Sequence, residues 1–337
     1  MSNVRAFFLC LLAFTGAGIA EAQNPTAAPV RVTSPNGEIV FILTDPGADV
    51  HPQYAVEFHG KRLMEAADLG LKLVGQPELG AGMRLKSTQA DRADETYTIP
   101  VGKTSRVRNH YNGVRADFED ASGRRLTIEA RAFDDGVAFR YVVPEQPSLK
   151  KVRIASELTE FVFAKDAETY PLVLDGYQSS WEDEYQLRNV SGLHSDWLIG
   201  LPFLAHEAGL GWIGITEADI ENYSGMYLRK SAKFASLRLH ADLSPHADRE
   251  GAIDSSYAVE TSTPFSSPWR LLMIGDEPGK LIESNIVLNL NPPSKIADPS
   301  WIKAGKSAWD WWSGDAAPGM DFKTGVNTAT MKWKVFW

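Results

Sequence analysis

The stretch RLTIEARAFDDGVAFRYVV, residues 125–143, decides the fold class. Apolar side chains occupy every second position on both sides of an Asp134-Asp135-Gly136 turn. Alternation with a period of two places those side chains on one face of a strand, and an Asp-Gly pair favours a tight turn between antiparallel strands. The stretch therefore predicts a β-hairpin with one buried face. The alternating apolar residues are Leu126, Ile128, Ala130, Val137, Phe139 and Tyr141.

Similar alternation continues along the chain from Val32 to about Leu290, in short runs that are mostly bounded by Gly, Pro, Asp or Asn. Many short strands separated by turn residues are typical of two packed antiparallel sheets. The sequence therefore predicts a mainly β fold in which residues 30–291 form one large sandwich. The other predicted strands are Tyr54–Phe58, Gly70–Val74, Tyr97–Val101, Val114–Phe118, Phe161–Ala164, Leu210–Thr216, Phe234–Leu239 and Arg270–Ile274.

The composition limits the class of protein. The chain has 337 residues, of which 44% are hydrophobic and 23% charged, and its formal net charge is −9 at pH 7. At roughly 100–200 residues per domain, this length predicts about two domains, and the apolar share is sufficient for a packed core. A net negative charge disfavours binding to phosphate backbones or anionic lipid. Disorder is thus excluded, and nucleic acid is not expected as a partner.

The N-terminus has the features of an export signal. Arg5 precedes an apolar stretch at residues 6–19, and Ala20-Glu21-Ala22 places small residues at both positions that a signal peptidase reads. We therefore expect a cleavable signal peptide over residues 1–22 and no membrane attachment after cleavage. Cys10, the only cysteine, lies inside this segment, so the mature chain has no disulfide. A periplasmic location is expected, with secretion as the alternative.

The sequence pattern changes after Pro292. Proline-rich segments at residues 291–293 and 298–299 indicate a connector, and a second domain is expected from residue 300 to residue 337. This segment contains the aromatic run Trp309-Asp310-Trp311-Trp312. Tryptophan rings stack on the C–H faces of sugars while a nearby carboxylate accepts hydrogen bonds from hydroxyls. The run therefore indicates either a carbohydrate contact or a buried aromatic cluster.

A second segment with side chains suited to ligand binding is Tyr177–Tyr185, which reads YQSSWEDEY. Glu182, Asp183 and Glu184 lie between aromatic residues where strand alternation is weak. Oxygen ligands of this kind suit a hard cation such as Ca²⁺ or a sugar-facing loop. The alternative is a solvated acidic loop whose aromatic residues are packed under the sandwich.

Two other motifs carry no function in this sequence. Gly209–Gly214, GLGWIG, matches a dinucleotide-binding pattern, but that pattern requires a following helix, and Ile215 and Thr216 predict a strand instead. We interpret these glycines as part of a hairpin where backbones pack closely. His206-Glu207 begins a zinc-protease pattern, but Leu210 occupies the position of the second histidine, so zinc is disfavoured.

Taken together, segments spread in order from residue 34 to about residue 332 resemble the family 97 glycoside hydrolases, which are exported bacterial enzymes acting on α-glucosides or α-galactosides. Each segment is weakly specific alone, but their order along nearly the whole mature chain is specific. The matching segments are Ser34–Gly37, Asp135–Tyr141, Trp181–Tyr185, Ser300–Lys303 and Gly305–Trp312.

The resemblance implies a fold and a cofactor. The fold is an N-terminal β-super-sandwich, similar to galactose mutarotase, followed by a catalytic (β/α)8 barrel. The cofactor is an active-site calcium ion held mostly by barrel glutamates, with one glutamate from the N-terminal domain. Glu182 fits that position, because Trp181–Tyr185 matches the family's aromatic-Glu-x-x-Tyr pattern. Asp310, Trp311 and Trp312 are expected to contact substrate.

The resemblance also implies an activity, that of a calcium-dependent exo-acting α-glucosidase or α-galactosidase with an oligosaccharide or α-glycoside as substrate. A (β/α)8 barrel needs about 250 residues, so residues 300–337 would supply only its truncated beginning. The family's catalytic carboxylates lie on later barrel strands and match nothing here. No catalytic residue is therefore assigned, and this chain is expected to be inactive alone.

Two alternatives from other classes remain open at this stage. The chain could be a non-catalytic carbohydrate-binding or structural β-sandwich. It could also be a mutarotase-like epimerase, which requires a His and Glu acid/base pair in the sandwich cleft. The isolated histidines of the sequence disfavour the epimerase.

Overall fold

The computed structural model describes residues 28–47, 50–233, 236–248 and 251–305. These residues belong to two compact units. The larger unit runs to Thr96 and from Arg108 to Asn291, and the smaller unit contains Tyr97–Val107 and, of the described residues after the larger unit, 292–305. Residues 1–22 of the predicted signal peptide lie outside the described residues, as does the predicted second domain from residue 306.

The described residues form 24 strands, one short 3-10 helix (Val190–Gly192) and two α-helices (α1 and α2). The elements are β1 Val30–Thr33, β2 Ile39–Thr44, β3 Gln53–Phe58, β4 Lys61–Asp68, β5 Leu71–Leu73, β6 Arg84–Thr98, β7 Arg106–Glu119, β8 Arg125–Phe133, β9 Gly136–Val143, β10 Lys151–Glu157, β11 Glu160–Val162, β12 Glu168–Tyr170, β13 Val173–Leu174, β14 Arg188–Asn189, β15 Leu198–Ile199, β16 Phe203–Glu207, β17 Gly211–Ala218, β18 Met226–Lys230, β19 Arg238–Leu243, β20 His246–Ala247, β21 Ile253–Asp254, β22 Val259–Ser262, β23 Phe265–Ser266, β24 Trp269–Gly275, α1 Pro278–Glu283 and α2 Ile286–Leu290.

The strands form antiparallel sheets, which confirms the predicted mainly β fold. The largest sheet has ten strands in the order β14-β12-β16-β17-β24-β9-β8-β7-β6, with β23 added beside β9. The smaller sheets are β1-β2-β3-β4, β22-β10-β5, β11-β19-β18-β15-β13 and the pair β20-β21. One buried cluster contains side chains from each of the four larger sheets, among them Phe41, Phe139, Ile154 and Phe161. This shared core is the interior of the sandwich.

The two helices lie on the opposite face of the ten-stranded sheet. Ile286 and Leu290 of α2 pack with Trp269 and Ala138 in a second buried cluster. α1 has Pro278 in its first turn, where the missing N–H costs nothing, and α2 ends just before Pro292-Pro293. Neither helix has the length and apolar character required to cross a membrane.

The hairpin predicted over residues 125–143 is present and is formed by β8 and β9. Phe133 pairs with Gly136, and Ala130 pairs with Phe139. Leu126, Ile128 and the other alternating side chains belong to the main core. The turn differs from the prediction in one detail, because Asp134 and Asp135 alone form the loop and Gly136 begins β9.

Gly136 allows two strands to approach closely. A Cβ atom at this position would lie 2.4 Å from Leu272 O and 3.0 Å from Met273 Cα. We therefore expect Gly136→Ala to lower the free energy of unfolding by about 1–3 kcal/mol, because β24 must shift away from β9. Gly279→Ala is the matched control, since nothing lies within 4 Å of the added methyl group, and it should change stability by less than about 1 kcal/mol. Urea denaturation followed by circular dichroism measures both, and equal stabilities for the two variants would contradict the prediction.

A charged network crosses the sandwich interior. Arg270 is fully buried and donates to both oxygens of Glu157, at 2.5 and 3.0 Å, and to Glu217 Oε2 at 2.5 Å. Thr159 and Tyr223 donate further hydrogen bonds to the Glu157 carboxylate, at 2.9 and 3.0 Å. Burial lowers the pKa of Arg270, but the two carboxylates outweigh burial and raise it above its ordinary value. The guanidinium is therefore charged at any pH at which the protein is folded.

Candidate functional site

The candidate site is the acidic loop, residues 175–187, which connects β13 with β14. It lies on the five-stranded sheet β11-β19-β18-β15-β13. Alternation along β18 places Leu228 in the main core and Tyr227 on the other face, where Tyr227 joins a small cluster with Leu174 and Leu198. The sheet thus offers the loop an apolar support on the side away from the sandwich core.

Two aromatic side chains anchor the acidic loop to this support. The ring of Tyr177 packs edge-on against Tyr227 with centroids 5.2 Å apart, and the ring of Trp181 lies 5.6 Å from the same tyrosine. The Tyr177 hydroxyl donates a 2.8 Å hydrogen bond to Asp242 Oδ2. Burial and the bond to Asp242 raise the pKa of Tyr177, so it stays a neutral donor. Tyr177 is half-buried and Trp181 is still 39% exposed, so the loop keeps part of its aromatic surface open to solvent.

Trp181 occupies an unusual conformation next to a glycine. Its φ of 60° lies in the left-handed region, which bulky residues rarely adopt. A Cβ atom at Gly200 would lie 2.7 Å from Trp181 Cζ3, so only glycine leaves room for the indole. Residues held in such a conformation persist only where the surroundings fix them, and they concentrate at functional sites. The strained residue, Trp181, immediately precedes Glu182 in the chain.

Arg229 links Asp242, which binds Tyr177 of the acidic loop, to the backbone of Asp196. Its side chain lies on the same face as Tyr227, donates through Nε to Asp242 and donates through Nη1 to Asp196 O at 2.9 Å. Asp242 pairs with Tyr227 across β18 and β19, so it lies beside the tyrosine that supports the loop. Asp242 therefore accepts from both Tyr177 and Arg229. Sequence reasoning missed these residues, and only the strand pairing shows that they meet.

Glu182, Asp183 and Glu184 of the acidic loop are exposed. Asp183 Oδ1 accepts a 2.7 Å hydrogen bond from Glu184 N. Among the residues that the structure describes, no three His, Cys, Asp or Glu side chains are grouped closely enough to hold a metal ion. Calcium takes about six to eight oxygen ligands, and the described residues show no such grouping around Glu182. The loop offers exposed carboxylates, and the part of the chain that the structure describes does not complete a metal site with them.

The other predicted site residues, Asp310, Trp311 and Trp312, lie outside the described residues. The two dismissed motifs do lie within them. Gly211–Gly214 lie inside β17, which pairs with β16, and Gly211 packs against Phe58 and the backbone of Gly275, which agrees with the hairpin interpretation. His206 stacks on Trp212 with ring centroids 4.4 Å apart.

The architecture agrees with what known proteins show. A sequence model described as "Glycosyl-hydrolase 97 N-terminal" matches residues 32–293. The chain belongs to glycoside hydrolase family 97, through the N-terminal region of that family. The resemblance stated from the sequence motifs is therefore confirmed.

The similar proteins are glycoside hydrolases. The chain is 31% identical, over 322 residues, to a retaining alpha-galactosidase of Bacteroides thetaiotaomicron, a match that covers 89% of this chain and 47% of the relative. It is 27% identical to a probable retaining alpha-galactosidase of Streptomyces bingchenggensis, covering 77% of this chain and 37% of the relative. The chain therefore spans less than half the length of these relatives.

Solved structures show the same fold. A family 97 enzyme from a Pseudoalteromonas species, determined in complex with acarbose, superimposes with a TM-score of 0.73 at 29% sequence identity. The match covers 81% of this chain and 40% of the other. The same enzyme has also been determined, as a variant, in complex with panose. The predicted sandwich is thus confirmed, while the predicted start of a barrel lies largely outside the described residues.

Proposed function

We propose that this chain is the N-terminal part of a calcium-dependent, exo-acting α-glycoside hydrolase, an α-galactosidase or α-glucosidase, and that it contributes Glu182 to the calcium site. The observation that carries this proposal is the anchored acidic loop within a family 97 sandwich. An oligosaccharide or α-glycoside is the expected substrate, because relatives of this chain are retaining alpha-galactosidases and a structural neighbour is determined with acarbose. Export to the periplasm, by the signal at residues 1–22, belongs to the same proposal.

The role of this chain in the site is to hold one ligand in place. Tyr177 and Trp181 fix the loop on either side of residues 178–180. The packing of Trp181 against Gly200 sets the direction of the backbone at Glu182. A carboxylate on such a loop is positioned before a metal ion binds, which reduces the entropy lost on binding. A bound Ca²⁺ would supply positive charge that polarises a sugar oxygen. The chain itself supplies the ligand and its orientation.

The catalytic carboxylates belong, by the resemblance, to barrel strands that match nothing in this sequence. Glycoside hydrolysis requires an acid that protonates the leaving group and a second carboxylate on the opposite side of the bond. Asp310, Trp311 and Trp312 are proposed as substrate contacts at the beginning of that barrel. The chain alone is then expected to bind sugars at most, without turning them over.

Calcium binding tests the role of Glu182. We expect this chain alone to bind calcium more weakly than about 1 mM, because one loop cannot supply the required number of oxygen ligands. A chimera in which residues 23–299 replace the matching region of the Bacteroides retaining alpha-galactosidase should bind calcium tightly. In that chimera Glu182→Gln should weaken binding at least about tenfold, since one charged ligand becomes neutral.

Glu184→Gln is the matched control, because it removes an exposed carboxylate from the same loop. Isothermal titration calorimetry measures the 337-residue chain with and without Glu182→Gln, the chimera, and the Glu182→Gln and Glu184→Gln variants of the chimera. Tight calcium binding by the 337-residue chain, unaffected by Glu182→Gln, would show that the assignment is wrong. Equal losses in both chimera variants would show that the loop acts through its total charge and not through Glu182.

A further inference from the structure

A cleft at one end of the five-stranded sheet contains a buried lysine that the proposed function does not use. It lies between the segment that follows the 3-10 helix, residues 191–196, and the end of β18, residues 230–233. Its volume is about 400 Å³. We call it the lysine cleft.

Lys230 is the central feature of the lysine cleft. The residue is only 6% exposed, and its ammonium donates a 2.6 Å hydrogen bond to Ser191 O. An ammonium group has three donors, and a buried charge is costly unless it is paired with a counter-charge. Within the described ranges, no carboxylate forms an ion pair of 4 Å or less with Lys230. The position therefore holds a buried ammonium group that no carboxylate of the described residues pairs with.

The other side chains of the lysine cleft also offer more hydrogen-bond donors than carboxylates. Lys233 and His194 also line it, and Asp196 is the only carboxylate among the lining residues that the structure describes. The imidazole of His194 stacks on Trp197 with centroids 4.5 Å apart and planes 10° apart, which fixes its orientation. The hydroxyls of Ser195 and Ser231 complete the lining, while the Ser191 hydroxyl donates a 2.6 Å hydrogen bond to Asp166, outside the lining. The donors thus outnumber the anionic acceptors.

The geometry points to an oxyanion-binding site in the lysine cleft, with Lys230 as the buried anchor and Lys233 and His194 as further donors. The ligand group is a sulfate, phosphate or carboxylate, either free or carried by a sugar. Its negative charge supplies the partner that Lys230 lacks, and charge-assisted hydrogen bonds are the strong class of hydrogen bond. A volume of about 400 Å³ lies within the usual range for small-molecule sites, so a single charged sugar has room to enter.

Calorimetric titration of the 337-residue chain at constant ionic strength tests this site. The probes are sodium sulfate, sodium phosphate, methyl glucuronide and, as a neutral comparison, methyl glucoside. We expect saturable binding of at least one anionic probe, weakened at least about tenfold by Lys230→Gln and by Lys233→Gln, since each removes a charged donor. Lys72→Gln is the matched control, because Lys72 is exposed on β5 and distant in the chain from the cleft, and it should leave binding unchanged.

The arms of the titration distinguish the source of the anion. Tighter binding of methyl glucuronide than of the inorganic ions assigns the site to a charged sugar, and the reverse order assigns it to a free oxyanion. Absence of saturable binding for all three anionic probes overturns the proposal, as does equal binding of methyl glucoside. If Lys230→Gln fails to fold by circular dichroism, Lys233→Gln decides, because Lys233 is exposed and its replacement leaves the fold intact; undiminished binding by that variant overturns the proposal.

Discussion

Arg270→Ala is expected to lower the free energy of unfolding by about 3–5 kcal/mol, because it leaves two carboxylates without their counter-charge inside the sandwich. Glu157 is 3% exposed and receives both ends of the guanidinium fork, while Glu217 is bonded on the other side. Burial raises the pKa of Glu217 above its ordinary value even with the arginine present. Without the arginine, both acids must take up protons or admit water, and either change costs stability.

Urea denaturation at pH 7 measures this loss, and a surface ion pair provides the control. Arg153 binds Glu260 at 2.5 Å with side chains that are 54% and 48% exposed. Exposed pairs contribute about 0–1 kcal/mol, so Arg153→Ala should change stability by no more than that. A loss at Arg270 as small as the loss at Arg153 would contradict the structural role of the buried network. Arg270→Lys, which keeps the charge and loses the fork, should fall between the two.

The second large effect concerns Glu207 and pH. Its side chain is fully buried, Oε1 accepts a 3.3 Å hydrogen bond from Lys165 N, and Oε2 has no hydrogen-bond partner among the described residues. Burial raises the pKa of this carboxyl from 4.5 to about 7, opposed by the bonds to the Lys165 backbone and the Lys165 charge and assisted by Glu65. Between those two pH values the folded protein holds a proton that the unfolded chain has released.

The sign of the effect follows from that difference. Because the folded state binds more protons, the free energy of unfolding decreases as the pH rises from about 4.5 through about 7, by up to about 3 kcal/mol, and is constant above. Glu207→Gln removes this dependence and should make the protein more stable than the unaltered chain at pH 8. Glu283→Gln, at a residue whose side chain is 72% exposed, is the control. Parallel stability curves for the Glu207 variant and the unaltered chain from pH 5 to pH 8 would contradict this assignment.

Sequence alternation predicted most strands but not which charged residues face inward. Most predicted runs, including Tyr54–Phe58 and Val114–Phe118, lie in strands of the sandwich. Tyr97–Val101 is only partly correct, because β6 ends at Thr98. The long strand β6, RLKSTQADRADETYT, was missed because its exposed side chains carry no apolar alternation. Hydrogen bonding to β7 stabilises β6. Such pairing between strands leaves no pattern in the sequence of either strand.

The buried arginine and the loop anchor show the same limit. A charged residue in a strand is normally predicted to face solvent. Arg270 of β24 instead faces the core, because Glu157 and Glu217 from other strands bind it there. The acidic loop was recognised from its composition, since carboxylates between aromatic residues are visible in the sequence. That Tyr177 and Arg229 converge on one aspartate of β19 depends on the strand register. Local sequence therefore identified the loop, and tertiary structure showed how it is held.

Hydrolysis of nitrophenyl α-galactoside and nitrophenyl α-glucoside by the purified 337-residue chain with excess calcium is the decisive experiment. The chimera with the Bacteroides barrel is assayed beside it. We expect no turnover by the chain above the uncatalysed rate, and turnover by the chimera that Glu182→Gln reduces strongly, because we propose that the sandwich supplies a calcium ligand while the acid and its partner carboxylate belong to the barrel. Turnover that follows the 337-residue chain through every purification step would contradict the account and place a catalytic pair within the sandwich.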